Sequence, residues 1–249
     1  MIPLSDEQLR AFAERGYVVI GIVIPRELIR AAMLYIDRLI EQKPPPPDHR
    51  GYHFYWQNAV AHLNPLRSLL TDSPAWSIAE ALINPLELAL PQQAQVSLNI
   101  PPWRHRPGGP HLDGLTPLEP SGRPSTFTML AGIFLTNQRS SDMGNLCVWP
   151  GSHPVTAGFL RRHGPDALLE IAHPPFALAQ PEQIVGGAGD LLLTHYLLGH
   201  NMGGNLSRSV RRVVYFRLQS HGHASRWREC VQNPLLEFAP VQAVVGSPT

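Results

Sequence analysis

Charge of either sign is scarce in this chain. Charged residues make up 16% of the 249 positions, against about 25% in an average globular protein, and Lys43 is the only lysine. Basic and acidic residues nearly cancel to a net charge of +1, so no excess draws the chain to nucleic acid or to an anionic membrane. Cysteine is almost absent: Cys147 and Cys230 are too few for a disulfide scaffold and too far apart for a cysteine-based zinc site. Long apolar runs are missing too. The longest, Tyr17 to Ile24, falls far short of the roughly 20 residues that span a bilayer. The stretch Met1 to Glu7 has neither a basic start nor an apolar segment, so it does not read as a signal peptide, and the expected location is the cytoplasm. Disorder is excluded, because 43% of the residues are hydrophobic and the net charge is low.

What the chain does have is proline and histidine. The 26 prolines are about twice the usual 5%, which favours short elements and many turns over a helical bundle. The 12 histidines matter because imidazole is the commonest metal-ligand side chain. Ser5 and Gln8 form a capping box before an amphipathic run, Gly16 stops that helix, and Tyr17 to Ile24 reads as a strand. Pro25 opens a second helix with apolar residues from Leu28 to Ile40 at i, i+3, i+4 spacing. Pro44 to Pro47 form a stiff spacer, and an aromatic cluster, Tyr52 to Trp56, follows without clear periodicity. A third helix is expected at about Pro74 to Ile83.

From about Leu86 the texture changes to short β-like runs between turn signals. These are Ala94–Ile100, Thr126–Thr136, Leu146–Trp149, Leu191–His195 and Val210–Leu218, a pattern that predicts a sandwich or barrel. The expected organisation is one domain over 1–249: a mostly helical layer and lid in 1–85, a double-sheet β core in 86–220 and a C-terminal segment in 221–249.

His111-Leu112-Asp113 is the first place where chemistry is legible. In an extended segment, residues i and i+2 point to one side, so the imidazole and the carboxylate can converge on one ion. Two histidines and a carboxylate form the set that leaves adjacent positions open on iron. Downstream, Gly189-Asp190 feeds a strand ending at His195, and His200 follows. Arg211 stands 11 residues beyond His200. If the chain turns back through Gly203-Gly204-Asn205, His200 and Arg211 fall on neighbouring antiparallel strands, with a guanidinium near the ion suited to bidentate capture of a carboxylate.

With these residues assembled, the chain resembles the phytanoyl-CoA dioxygenase family of Fe(II)/2-oxoglutarate oxygenases. The likeness rests on Gly16-Tyr17-Val18-Val19, His111-Leu112-Asp113, the run Gly144 to His153, Gly189-Asp190, and His200 to Asn205 with Ser207 and Arg211. It implies a fold that is mainly β with a helical N-terminal layer, its core a double-stranded β-helix (a cupin-like jelly-roll). His111, Asp113 and His200 are implied as ligands of Fe(2+), with Arg211 on the distal carboxylate of 2-oxoglutarate. The implied reaction consumes O2, releases succinate and CO2, and hydroxylates or otherwise oxidises a small-molecule metabolite. Ascorbate is a candidate stimulant.

The carboxylate of Asp113 argues against halogenation, because halogenating relatives carry a small residue there. The chain departs from some family members at Met202, where they have serine, and at Ile133, where they have tryptophan. Asn99 could donate to 2-oxoglutarate or be a plain sheet amide. Tyr55, Trp56, Trp103 and Trp149 are the candidate substrate contacts, with Tyr52 to Trp56 read as a lid. His153 reads as a turn residue hydrogen-bonded behind the site, and His195 as a weaker rival to His200. Two further readings stand beside the oxygenase: a zinc hydrolase built on the same three ligands, and a non-catalytic jelly-roll ligand-binding module. The expected partners are a small-molecule substrate, with no nucleic acid or membrane, in a monomer or homodimer.

Overall fold

The computed structural model describes residues 3–45, 53–60, 64–113, 124–169, 178 and 180–246, apart from the side chains of 53–59, 168 and 169. Helix α1 (Asp6–Arg15) starts on the expected capping box, with the Ser5 hydroxyl accepting from the Gln8 amide, and stops at Gly16 in the left-handed conformation. Strand β1 (Tyr17–Ile20) and helix α2 (Arg26–Gln42) follow. β1 is shorter than the apolar run because Ile22 adopts a positive φ of 52°, and its amide is taken by the Asp190 carboxylate at 2.9 Å. Next come β2 (His53–Ala59), α3 (Pro65–Thr71), α4 (Ala75–Ile83), β3 (Gln93–Asn99), β4 (Met129–Phe134) and β5 (Leu146–Val148). The chain closes with α5 (Ser152–His163), β6 (Glu182–Gln183), β7 (Leu191–His195), β8 (His200–Met202), β9 (Arg211–Leu218), α6 (His223–Gln232) and α7 (Ala239–Val245).

Two antiparallel sheets face each other, one in the order β1-β7-β4-β9-β3-β2 and the other β6-β5-β8. This is the expected jelly-roll; β1, within the run read as a strand, and β2 come from the mostly helical first 85 residues and form the two ends of the large sheet. Side chains alternate between the faces of a strand, and here the alternation separates two chemistries. The outer face carries Val96, Leu98, Ala131, Ile133, Leu193, Val214 and Phe216, which pack with Phe12, Ala32, Ile36, Leu82 and Phe238 of the helical layer and C-terminal segment. The inner face carries Leu130, Phe134, Leu192, Val213 and Tyr215 against Leu146, Val148 and Met202 of the small sheet. Interleaved on that inner face are the polar residues Gln95, Ser97, Asn99, Arg211 and Arg217. Ile133 therefore faces the helices and not the interior, while its neighbour Gly132 sits under Tyr215. A Cβ at Gly132 would come within 2.8 Å of Tyr215 Cε1.

His195 lies on the outer face, its ring 5.1 Å from that of His153 and 5.4 Å from that of Phe238. Its Nε2–H donates to the Pro234 carbonyl at 2.6 Å and its Nδ1 accepts from the Leu197 amide at 2.9 Å. His153, in the first turn of α5, donates to the Ala13 carbonyl at 3.0 Å. Burial pushes His153 down to about 3 and His195 down to about 4, so both are neutral when folded. The unfolded chain takes up these protons below about pH 6.5, whereas the folded chain refuses them until near pH 4 and pH 3. Stability is therefore expected to fall with pH across that window, by about 1.4 kcal/mol per pH unit for each histidine. Urea titrations at pH 7 and pH 5 check this, and His153→Gln should flatten the slope.

Candidate metal centre

The His111–Asp113 segment is stitched to β8 by a reciprocal backbone pair. The His111 amide donates to the His200 carbonyl at 2.9 Å, and the His200 amide donates to that of His111 at 3.2 Å. Residues paired in this way carry neighbouring side chains, and the two imidazole centroids lie 4.5 Å apart. Asp113, two residues on, reaches the same point. Its Oδ1 is 3.6 Å from His111 Nε2 and 3.6 Å from His200 Nε2, and one ligand atom from each residue falls within 4.8 Å of the others. The His200 Nδ1–H donates to the Leu198 carbonyl at 3.0 Å, which fixes the tautomer and leaves the Nε2 lone pair for a ligand.

Charge at this point favours a cation. Burial alone would raise the Asp113 carboxyl, but hydrogen bonds from His111 and His200 and the charges of His200 and Arg217 hold it well below the usual carboxylate range. Burial pushes His200 down, and the hydrogen bond and charge of Asp113 more than reverse this. Two imidazoles and an ionised carboxylate meeting at a cavity fit a divalent transition metal. The cavity, of about 100 Å³, is walled by His111, Asp113 and His200 together with Gln95, Leu130, Leu146, Met202 and Tyr215. Past Gln95, Leu130 and Tyr215 it continues into an outer groove edged by Gln92, Gln93, Arg217 and Gln219.

Arg211 lies behind the Tyr215 wall, 1% exposed. Its guanidinium donates through Nη1 to the Ser97 hydroxyl at 2.7 Å, through Nε to Gln138 Oε1 at 3.3 Å, and through Nη2 to the Tyr215 hydroxyl. All three partners are neutral, and no carboxylate pairs with it among the described residues. A buried charge without a counter-ion is costly. Beside it, Gln138 Nε2 is buried with no hydrogen-bond partner. A guanidinium, a phenol and an orphaned amide donor together fit a carboxylate. Gly144 lets the chain close over this group: with φ at +81° it carries no Cβ, and one would approach within 2.8 Å of Asn99 Cβ and 3.0 Å of Arg211 Cβ.

One expectation about this region needs correcting. His200 and Arg211 are not on neighbouring strands: β8 pairs with β5, while β9 pairs with β3 and β4. They face each other across the sandwich, because the connection through Gly203 and Gly204 crosses from one sheet to the other. Asn205 holds that crossing, donating to the Asn99 and Ser209 carbonyls at 2.9 and 3.0 Å.

Asn99 itself donates to the Gly203 carbonyl at 2.9 Å, so its amide is tied to the same crossing. Trp103 pairs through its backbone with Asn205 and stacks on His105 at 4.4 Å; it borders a separate groove with Asp142 and Leu206, not the metal cavity. Trp149 is 4% exposed, packed where its amide meets the Gly199 carbonyl at 2.9 Å, and is also not in the cavity wall. Tyr55 and Trp56 lie in β2 opposite Ser97 and Val96, but their side chains, like the whole of Tyr52, are outside the described residues. Sequence reasoning missed Tyr215 and Arg217. Both share the parity of Arg211 on β9, which is the signal that could have found them.

The chain is a double-stranded β-helix with a two-histidine, one-carboxylate cluster between its sheets, and several solved structures share the fold. HygX from Streptomyces hygroscopicus, solved with nickel and 2-oxoglutarate bound, is 18% identical over 88% of each chain, with a TM-score of 0.58. The non-heme alpha ketoglutarate dependent carbocyclase SnoK from nogalamycin biosynthesis is 22% identical over 90% of each chain, TM-score 0.60. EctD from S. alaskensis, solved with 2-oxoglutarate and 5-hydroxyectoine, is 18% identical over 87% of this chain and 77% of that one, TM-score 0.59. At such identities the likeness shows the fold. No family model matches the chain, and no curated protein does. Among the described residues no helix is long and apolar enough to cross a membrane.

Proposed function

We propose that this chain is a non-haem Fe(II)- and 2-oxoglutarate-dependent dioxygenase of the phytanoyl-CoA dioxygenase type. It oxidises a small molecule and releases succinate and CO2. The observation that carries this reading is the pairing of the His111–Asp113–His200 cluster with a fully buried arginine that has no acidic partner among the described residues. A zinc hydrolase would leave Arg211 without a purpose.

In this reading His111, Asp113 and His200 hold the ion, and Arg211 with the Tyr215 hydroxyl holds the distal carboxylate of 2-oxoglutarate. The ion supplies the redox chemistry that couples O2 and decarboxylation of the keto acid to oxidation of a second molecule. The chain supplies orientation and shelter. The Leu198 carbonyl aims His200, while Leu130, Leu146 and Met202 keep water from the cavity walls. Glutamine amides along the outer groove suit a substrate with hydrogen-bonding groups. HygX with hygromycin B and EctD with 5-hydroxyectoine support a small-molecule substrate. A single domain over 1–249, acting in the cytoplasm as a monomer or homodimer with ascorbate as stimulant, completes the proposal.

Anaerobic addition of Fe(II) and 2-oxoglutarate should produce a weak visible charge-transfer band, and O2 should then release succinate. Absence of the band overturns the assignment, and a band without succinate points to a binding module. Arg211→Gln is expected to retain the metal but weaken 2-oxoglutarate by roughly 100-fold, the loss of a charge-assisted pair worth about 3 kcal/mol. Isothermal titration of 2-oxoglutarate into metal-loaded protein reads this directly.

A further inference from the structure

Six residues beyond Arg211, on the same face of β9, a second arginine reaches the metal cluster. Arg217 donates to Asp113 through Nε at 3.2 Å and through Nη2 at 2.9 Å, and both bonds end on Oδ2. The other oxygen, Oδ1, is the one that faces the two imidazoles. The carboxylate is thus divided between a guanidinium and the metal cluster. The arginine is itself braced: its Cζ lies 5.9 Å from the centre of the Phe127 ring, and Nη2 also reaches Gln95 Oε1 at 3.5 Å. Phe127 is buried and stands edge-on to Tyr196 at 4.6 Å.

Carboxylates bind cations through one oxygen or through both. Chelation through both would break the two charge-assisted bonds on Oδ2. We propose that Arg217 is a positioning residue that makes Asp113 a one-oxygen ligand and so keeps a coordination position open for the co-substrate. The inference rests on the oxygenase reading of the cluster and goes beyond it, because metal binding alone does not need this arginine. The positive charge of Arg217 also repels a cation, so a pure charge effect spares Arg217→Lys, whereas a positioning effect does not. The side chain is 34% exposed, which makes replacement compatible with folding.

The test titrates full-length wild type, Arg217→Lys and Arg217→Gln with Co(II), following heat and visible d–d absorption, and then adds 2-oxoglutarate. Lysine keeps the charge and loses the two-donor fork; glutamine loses the charge as well. Positioning predicts a changed d–d spectrum at saturation in both variants, because a freed Asp113 chelates through both oxygens. It also predicts 2-oxoglutarate binding to the loaded variants 10–100-fold weaker, the range for lost outer partners of metal ligands. A merely structural arginine would lower the melting temperature and leave the saturated spectrum alone, which overturns the proposal. Arg217→Lys with the wild-type spectrum and a 2-oxoglutarate affinity within twofold of wild type, and Arg217→Gln alone binding Co(II) more tightly, reduces the contact to charge and overturns it too. Wild-type protein that takes up no Co(II) overturns the metal cluster itself, a different failure visible before any variant is made.

Discussion

His200→Ala is expected to weaken binding of a divalent ion roughly a thousandfold and to abolish oxygen-dependent succinate release. A fully formed site of three or four protein ligands supplies about 10–16 kcal/mol, so one ligand's share is about 4 kcal/mol, or three decades in affinity. His200 has the least freedom of the three. Its side chain is 11% exposed against 39% for His111, and its ring is locked by the Leu198 carbonyl. Among the described residues His195 cannot replace it, because it faces the opposite side of the large sheet and spends both ring nitrogens there. Co(II) titration and a succinate assay read the two effects separately. Wild-type affinity in this variant would show that the ion sits elsewhere.

Glu237→Ala should be the most damaging change to stability. The carboxylate is 6% exposed and accepts from the Thr128 hydroxyl at 3.1 Å, from the Ser220 hydroxyl and from His223 Nδ1 at 2.8 Å. His223 in turn meets the Thr126 hydroxyl at 2.9 Å, so the group ties the segment after α6 to the approach to β4 and to the end of β9. Removing one partner of such a buried pair costs about 3–5 kcal/mol, which lowers the melting temperature by roughly 6–20 °C in a protein of this size. Cys230 lies close enough to make a His-Cys-Glu trio, but burial and Glu237 push its thiol up to about 12, and the described hydrogen bonds already occupy the carboxylate and the imidazole. In the His200→Ala variant a chelator is therefore expected to leave the melting temperature unchanged, and Glu237→Gln to lose less than Glu237→Ala. Thermal denaturation checks all three.

The large sheet was legible in the sequence because its central strands are apolar runs bounded by turns. Leu191–His195 coincides with β7, and β3, β4 and β9 lie within a few residues of their expected bounds. What escaped notice has a common cause: short or mixed elements carry no period of their own. β8 is three residues held by partners on either side, and β2 mixes aromatic and polar residues. α5 hides behind a Pro-Gly-Ser-His signal that reads as a turn, because Gly151 does adopt a positive φ of 73° just before the helix begins. The convergence of His111 and Asp113 was readable from their spacing, since they are two apart, and that of His200 from the resemblance. The placement of Arg211 across the sandwich from His200 was not, because a short connection does not reveal which sheet it leads to. Arg217 carries no signal of its own in the sequence beyond its parity with Arg211, which puts it on the same face.

The two hydrogen bonds that sew His111 to His200 have a thermodynamic corollary. They form an isolated seam outside the main ladders, so the three donor atoms converge only while the seam is shut. An ion caught between the segments clamps it, and an ion departs most readily when it parts. On the proposed reading, metal loading and the ordering of this rim are then a single linked equilibrium.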